Sequence, residues 1–312
     1  MKSISLTTLQ SLAIAEGLSL LAVLDRVDLC DDRRNLERWQ RNGFAGDMTF
    51  MQRSGALLAH PEKVFAGLVS ALIIGVHYDR GPRVELPMGY GRIARYAWGR
   101  DYHKVLRKRL KRLIARVEGC LGESIEARCF SDSVPLLERA MARKAGLGFI
   151  GKNTMLIVPR AGSFLFLGEV LWDVCVDIPS MPKPSLKSRC GPCTSCIDNC
   201  PTSAFVDDYQ LDARKCISYL TIEKRSELTE QERVAIGDWL FGCDICQDVC
   251  PFNNYSLRKE AAADIEELSE EHGVGQMLSL AEVLSIRSHE QFVARYAGTA
   301  IMRARQIGRA HV

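Results

Sequence analysis

The sequence predicts an α/β (α+β) N-terminal domain, a ferredoxin-like iron–sulfur module after it, and a helical C-terminal segment. Three observations carry this: apolar strand-like runs alternating with helical periodicity up to residue 178, a dense cysteine region from 190 to 250, and a polar stretch beyond it. Thr7 or Thr8 is placed to cap a helix running to Gly17, and Leu18–Leu24 reads as a buried strand. A charged helix from Asp32 to Gly43 keeps Trp39 on its apolar side. Leu68–Val76, Ile125–Phe130 and Thr154–Val158 read as further strands, and Ser163–Val174 as one or two more. With a helix at Pro135–Ala145 and a longer basic one before it, the expectation is a mixed sheet covered by helices.

Pro179, Pro182 and Pro184 mark Pro179–Arg189 as a linker. The segments are therefore 1–178, 179–255 and 256–312. Within the second, helices are expected at Leu211–Glu223 and Thr229–Leu240; Thr229 with Glu232 makes a capping box. Leu257 to Tyr296 is expected to be helical.

Eight of the twelve cysteines lie between Cys190 and Cys250. Cys190, Cys193, Cys196 and Cys200-Pro201 form C-x2-C-x2-C-x3-C-P, in which three thiolates hold one cubane and the fourth reaches a second. Cys243, Cys246 and Cys250-Pro251 lack the first ligand of a second run, and Cys216 is the natural substitute. Two [4Fe–4S] clusters need eight thiolates. The cross-over rule assigns Cys190, Cys193, Cys196 and Cys250 to one, and Cys200, Cys216, Cys243 and Cys246 to the other. Structural zinc also uses Cys-x2-Cys pairs, but has no need of the Cys-Pro closings. Cys30, Cys120, Cys129 and Cys175 lack ligand spacing and read as reduced thiols.

The 312 residues carry 47% hydrophobic and 25% charged side chains, the balance of a soluble protein. No apolar run spans a bilayer and the N-terminus lacks a signal-peptide pattern, so a cytoplasmic location is expected. Net charge is only +3, yet Arg92 to Arg116 holds ten basic residues against the single acid Asp101. Tyr102, Val105, Leu106, Leu110, Leu113, Ile114 and Val117 recur at helical spacing, leaving the cations on the opposite face. That face is either merely solvated or a phosphate contact for nucleic acid, with Lys104, Arg107, Lys108 and Lys111 as candidates.

Two motif matches fail on context. Gly146-Leu-Gly148-Phe-Ile-Gly151 matches G-x-G-x-x-G, but follows a helix and precedes a strand, the reverse of a dinucleotide site. Asp101-Tyr-His103 begins like a D-x-H-x-x-G motif, with Leu106 where glycine is required.

Taken together, Ser131-Asp132-Ser-Val-Pro135-Leu-Leu-Glu-Arg139-Ala, Ala145-Gly-Leu-Gly-Phe-Ile-Gly-Lys152-Asn153-Thr154, Cys216-Ile-Ser218-Tyr-Leu-Thr-Ile-Glu223 and the cysteine runs resemble the epoxyqueuosine reductase family, from about Leu6 to Arg305. The resemblance implies a cobalamin-dependent, two-cluster enzyme, with a cobalamin-binding N-terminal domain, that reduces epoxyqueuosine in the tRNA anticodon loop to queuosine. It further implies a low-potential electron donor of ferredoxin or flavodoxin type and a monomer. Asp132 matches the family's proton donor, which requires burial to raise its pKa well above ~3.9. Its local alternative is a helix N-cap. Implied cobalamin contacts are Asp132, Lys152, Asn153, Leu156, Ser218, Asp244 and Ile245, with Tyr96, Ala97, Tyr102 and His103 as further candidates.

Two departures stand out. Members often continue into helical repeats, whereas this sequence stops at Val312, and Val134 stands where a glycine is usual. Rival readings are a reductive dehalogenase-like cobalamin enzyme and a non-catalytic electron carrier. Bound cobalamin separates enzyme from carrier; salt-sensitive tRNA affinity separates the reductase from the dehalogenase-like reading.

Overall fold

The computed structural model describes residues 2–25, 29–53, 60–178, 187–254 and 265–304. Most of the expected Pro179–Arg189 linker, the start of the C-terminal segment at Leu257 and the last residues from Arg305 lie outside them. The chain begins with β1 (Ser3–Ser5), helix α1 (Leu6–Ile14), β2 (Leu20–Leu24) and helix α2 (Cys30–Arg41). Ser5, rather than Thr7 or Thr8, caps α1, its hydroxyl accepting the Thr8 N–H at 3.1 Å.

Next come β3 (Ser70–His77), β4 (Tyr90–Ile93), the basic helix α3 (Tyr102–Leu121), β5 (Ala127–Phe130) and helix α4 (Glu138–Lys144). A short hairpin of β6 (Phe149–Ile150) and β7 (Leu156–Ile157) leads to β8 (Leu165–Trp172) and β9 (Cys175–Asp177). The central sheet has the order β2-β3-β8-β5. Every pairing in it is antiparallel, not the mixed arrangement expected. The apolar runs of β3 and β8 are buried on both faces, so they carry no alternation and no hint of strand direction. Parallel pairing occurs only outside this sheet among the described residues, where β1 joins β9 and β4 joins a later strand.

Period-two alternation along β8 divides the core. Phe166, Val170 and Trp172 face α3, meeting Leu106, Leu110, Leu113 and Val117, all fully enclosed. Leu167 and Leu171 face α4, meeting Met141 and Ala142. Each such aliphatic side chain contributes about 1.5–3 kcal/mol on burial, which holds both helices to the sheet. Asp101 caps α3 and Gly122, at φ 70°, ends it in the left-handed conformation that glycine adopts without strain.

The three segments drawn along the chain share a second sheet. Strand β4 from the first lies between β12 (Trp239–Phe241) of the cysteine region and β13 (Met277–Ser279) of the C-terminal segment; the two intervening strands, β10 (Phe205–Asp207) and β11 (Gln210–Leu211), form a hairpin of their own. The helix expected at Thr229–Leu240 accordingly covers only Glu230–Ile236, where Gly237 at φ 58° stops it before β12. The expected Leu211–Glu223 helix is shorter too, a helix α5 (Ile217–Ile222) preceded by one tight turn and the extended Cys216. The C-terminal segment is interrupted by β13 rather than continuously helical. Gly273 packs so closely on Trp98 and Gly99 that a Cβ there would stand 2.2 Å from the Trp98 carbonyl oxygen, and this contact turns the chain towards β4.

Candidate active site

The loop leaving β5 carries Asp132 at φ 47°, a left-handed conformation that costs a non-glycine residue of order 1 kcal/mol or more. It is held from both sides. Ser131 donates its hydroxyl to the Leu167 carbonyl at 2.7 Å, and the Asp132 N–H donates to the Glu138 carboxylate at 2.6 Å. Helix α4 starts only at Glu138, with Leu137 at its N-cap position, so the capping alternative for Asp132 does not apply.

The Asp132 carboxylate accepts a hydrogen bond from the Tyr102 hydroxyl at 2.8 Å, and His103 Nε2 lies 3.7 Å from it. Tyr102 is fixed between Phe166 and His103, its ring centroid 4.3 Å from the first and 4.0 Å from the second. His103 Nδ1 in turn contacts Asp101 at 2.7 Å. Asp132 is 69% solvent-accessible, yet desolvation is the largest influence on its ionisation. Both hold for a carboxylate standing in a recess that solvent enters and protein surrounds.

Desolvation does not prevail there. It pushes the Asp132 pKa up, but hydrogen bonds from His103 and Tyr102, with the charges of His103 and Arg303, outweigh it and hold the carboxyl below its usual value. The expectation of a raised pKa is therefore corrected. The proton resides next door: burial works against a charged His103, but hydrogen bonds to Asp101 and Asp132 raise its pKa to about 9. At neutral pH the pair is an imidazolium beside a carboxylate.

The cysteines fall into two groups. Cys190, Cys193, Cys196 and Cys250 line a cavity of about 200 Å³ together with Lys152, Asn153, Ile157 and Phe252. Cys216 and Cys200 act electrostatically on Cys243, and Cys243 and Cys216, with a smaller effect of Cys196 from the first group, act on Cys246. Among the described residues this leaves Cys30, Cys120, Cys129 and Cys175 outside both groups. The loop that carries Cys243 is clamped to the recess. Gly242, at φ 72°, passes so close that a Cβ would stand 2.6 Å from that of Ala94 and 3.2 Å from the Tyr96 ring. Tyr96 meets Tyr102 edge-on at 6.2 Å, so one aromatic residue spans from the second cysteine group to the Asp132 partner.

Other predicted site residues are placed unevenly. Tyr96, Ser218 and Ile245 keep part of their surface accessible. Ala97 and Leu156 are enclosed in apolar clusters, which leaves backbone atoms as what they offer a ligand. Asp244 is buried and spent on Arg83 and Arg95, whose guanidinium groups bind it and Asp248. Lys152 pairs with Asp208 at 3.1 Å, and the Asn153 amide donates to the Cys246 carbonyl at 3.3 Å. The glycine-rich stretch builds the β6–β7 hairpin: a Cβ on Gly148 would stand 2.4 Å from the Ile157 carbonyl oxygen. Close backbone approach, not a phosphate, explains it.

On α3, Arg109 binds Glu267, while Arg112 and Arg116 both bind Glu16. Lys104, Arg107, Lys108 and Lys111 are exposed. Sequence reasoning missed Glu138 and Glu169, although an acid inside the run Phe-Leu-Gly-Glu-Val-Leu-Trp was a visible anomaly.

Comparison with known proteins fits this architecture. Residues 59–133 match the family model described as epoxyqueuosine reductase QueG, and residues 189–253 match the 4Fe-4S double cluster binding domain. The latter supports two [4Fe–4S] clusters. Epoxyqueuosine reductase of Pseudomonas aeruginosa is 40% identical over 89% of this chain and 75% of its own length. That of Escherichia coli is 40% identical over 77% of this chain and 63% of its own length. A crystal structure of an epoxyqueuosine reductase with an epoxyqueuosine-modified tRNA-Tyr stem loop superposes with a TM-score of 0.79 at 28% identity, covering 96% of this chain and 77% of that one. A Bacillus subtilis epoxyqueuosine reductase, described with an aspartate-bearing catalytic loop swung out of the active site, gives 0.77 at 28% identity, covering 96% of this chain and 77% of that one. No helix among the described residues is long and apolar enough to cross a membrane. By these identities and this coverage, the chain belongs to the epoxyqueuosine reductase family.

Proposed function

We propose that this chain reduces the epoxide of epoxyqueuosine in a tRNA anticodon loop, giving queuosine. The observation that carries the reading is the Asp132 recess, where a carboxylate, a phenol and an imidazolium converge beside the loop that bears Cys243. Removing an epoxide oxygen as water, to leave an alkene, consumes two electrons and two protons. Side chains provide the protons but not the electrons. A low-potential donor of ferredoxin or flavodoxin type would reduce the clusters, with Cys190, Cys193, Cys196 and Cys250 holding one and Cys200, Cys216, Cys243 and Cys246 the other.

The residues present also fit cobalamin. Tyr96 and Ile245 are partly accessible and pack on the same apolar cluster as Cys216 and Cys243, with the half-exposed Ser218 nearby. A flat aromatic ring, an aliphatic side chain and a hydroxyl suit a large planar macrocycle edged with amides. When bound, that cofactor supplies a strong nucleophile or electron donor to the epoxide. Asp132 serves the departing oxygen: its carboxylate, hydrogen-bonded to Tyr102 and beside His103, takes the imidazolium proton and delivers it as negative charge develops.

The test is anaerobic reconstitution with iron, sulfide and cobalamin, a low-potential reductant and epoxyqueuosine-tRNA, followed by mass spectrometry of the digested nucleosides. Queuosine is the expected product; unchanged epoxyqueuosine would overturn the reading.

The exposed face of α3 is the expected tRNA contact. Replacing Lys104, Arg107, Lys108 and Lys111 by alanine should weaken tRNA binding and flatten the plot of log affinity against log salt by about 0.7–0.9 for each phosphate no longer neutralised. An unaltered slope, from filter binding across a salt series, would leave this face merely solvated.

A further inference from the structure

Strand β8 carries an acid where nothing solvates it. Glu169 is fully enclosed in the middle of the central sheet, opposite Ile73 on one neighbouring strand and Phe130 on the other. Among the described residues, the carboxylate oxygens of Glu169 have no hydrogen-bond partner apart from the carboxyl they face. It projects to the α4 side of the sheet, and the group it meets there is another carboxyl, that of Glu138. Glu138 also accepts the backbone N–H of Asp132 at 2.6 Å, so the two acids lie directly behind the Asp132 loop.

Glu169 is fully enclosed and Glu138 half-buried, and two facing carboxyls so placed cannot both be ionised, so the pair holds at least one proton, and two below about 7. The surroundings push the same way. Desolvation first, then the charge of Asp132, raises Glu138 to about 7 against the opposing hydrogen bonds from the Asp132 N–H and Glu169 and the charge of Arg139, and burial drives Glu169 well above the usual carboxyl range. Leu167, Leu171, Met141 and Ala142 line this side of the sheet, and the charged Arg143 on α4 is paired with Asp32 at 3.0 Å. An acid that stays protonated when folded and ionises when unfolded costs stability as pH rises from about 4.5 through 7. A core that retained such a cost without use would be better served by a leucine.

Resting on the reaction proposed above, we infer that Glu138 and Glu169 form an internal proton store that recharges Asp132 during turnover. The need is stoichiometric. Loss of the epoxide oxygen as water takes two protons, and Asp132 carries one at a time. The first comes from the His103 imidazolium. Both acids are protonated in the resting pair, so after Asp132 has released its proton to the departing oxygen, one O–H bond of the pair breaks, a new one forms on Asp132, and the pair is left as a shared monoanion. Solvent protons restore it between turnovers, with no change in electron count. Glu138 and Glu169 are thus relay residues that act through Asp132.

The experiment uses the full chain with its clusters reconstituted, comparing wild type with Glu169→Gln and Glu138→Gln. Glutamine copies the size and neutrality of a protonated acid but cannot pass a proton on, so a purely structural role would survive the change. Infrared spectroscopy of the protein without substrate should show a protonated-carboxyl C=O stretch that weakens as pH rises through about 7, with the part that persists above it lost in Glu169→Gln. In the tRNA assay, kcat should fall about 10-fold or more with KM for tRNA unchanged, and the alkaline limb of the pH profile should move. Absence of the infrared band overturns the pair; unchanged kcat and pH profile in both variants overturn the relay. A wild type that makes no queuosine defeats the reaction and the relay with it, while the substrate-free band still reports separately whether the acids share a proton.

Discussion

Asp132→Asn is expected to lower turnover of epoxyqueuosine-tRNA by at least about 100-fold, the usual scale for losing a general acid, while both clusters assemble normally. Asparagine is nearly isosteric and still accepts the Tyr102 hydrogen bond, so the recess keeps its shape. What it loses is the capacity to take a proton from His103 and release it. A second readout follows from the same geometry. Asp132 is one of two carboxylates that hold His103 at about 9, so its removal should lower that pKa, with Asp101 keeping part of the elevation. NMR titration of His103 measures this directly. The sign of the linked stability is also set: a histidine raised from about 6.5 to about 9 contributes stability that is fully present below 6.5 and lost as pH rises through 9. The variant should show a weaker alkaline loss. Turnover within about 10-fold of wild type would remove Asp132 from the chemistry.

Cys216→Ser is the second large effect. Cys216 sits alone, far from either cysteine run, in an extended residue between a tight turn and α5, and it acts electrostatically on Cys243 and Cys246. Serine is a poor ligand for a cluster that elsewhere takes thiolates. About half of the iron should be lost, with the other cluster retained, and turnover should become undetectable because the group next to the Tyr96 clamp is the incomplete one. Iron analysis with electron paramagnetic resonance of the reduced protein separates the two clusters. A variant with full iron content and activity would show that Cys216 is no ligand and that the eighth thiolate comes from elsewhere.

The fold was legible where a residue pattern acts over a short span. The amphipathic period of α3 placed its buried stripe and its cationic face correctly, since helix geometry alone decides which residues share a side. The runs of β3 and β8 were visible as strands, yet their antiparallel pairing was not, because a strand buried on both faces shows no alternation. Short strands such as β4, β12 and β13 escaped entirely. Each is three or four residues long and is stabilised by partners from other parts of the chain, not by its own composition.

The site divides along the same line. Ligand spacing is local, so the cysteine runs announced one-electron chemistry without any structure, and Asp132 was recognisable by the motif around it. Its protonation was not. The pKa of Asp132 depends on Tyr102 and His103, some thirty residues earlier in the chain, and on how far burial competes with them. Glu138 and Glu169 lie on a helix and a strand that meet only once the sheet has formed. The sequence by itself determined which chemistry the chain can carry; the tertiary structure decided where its protons rest, because solvent exclusion and charge act through space rather than along the backbone.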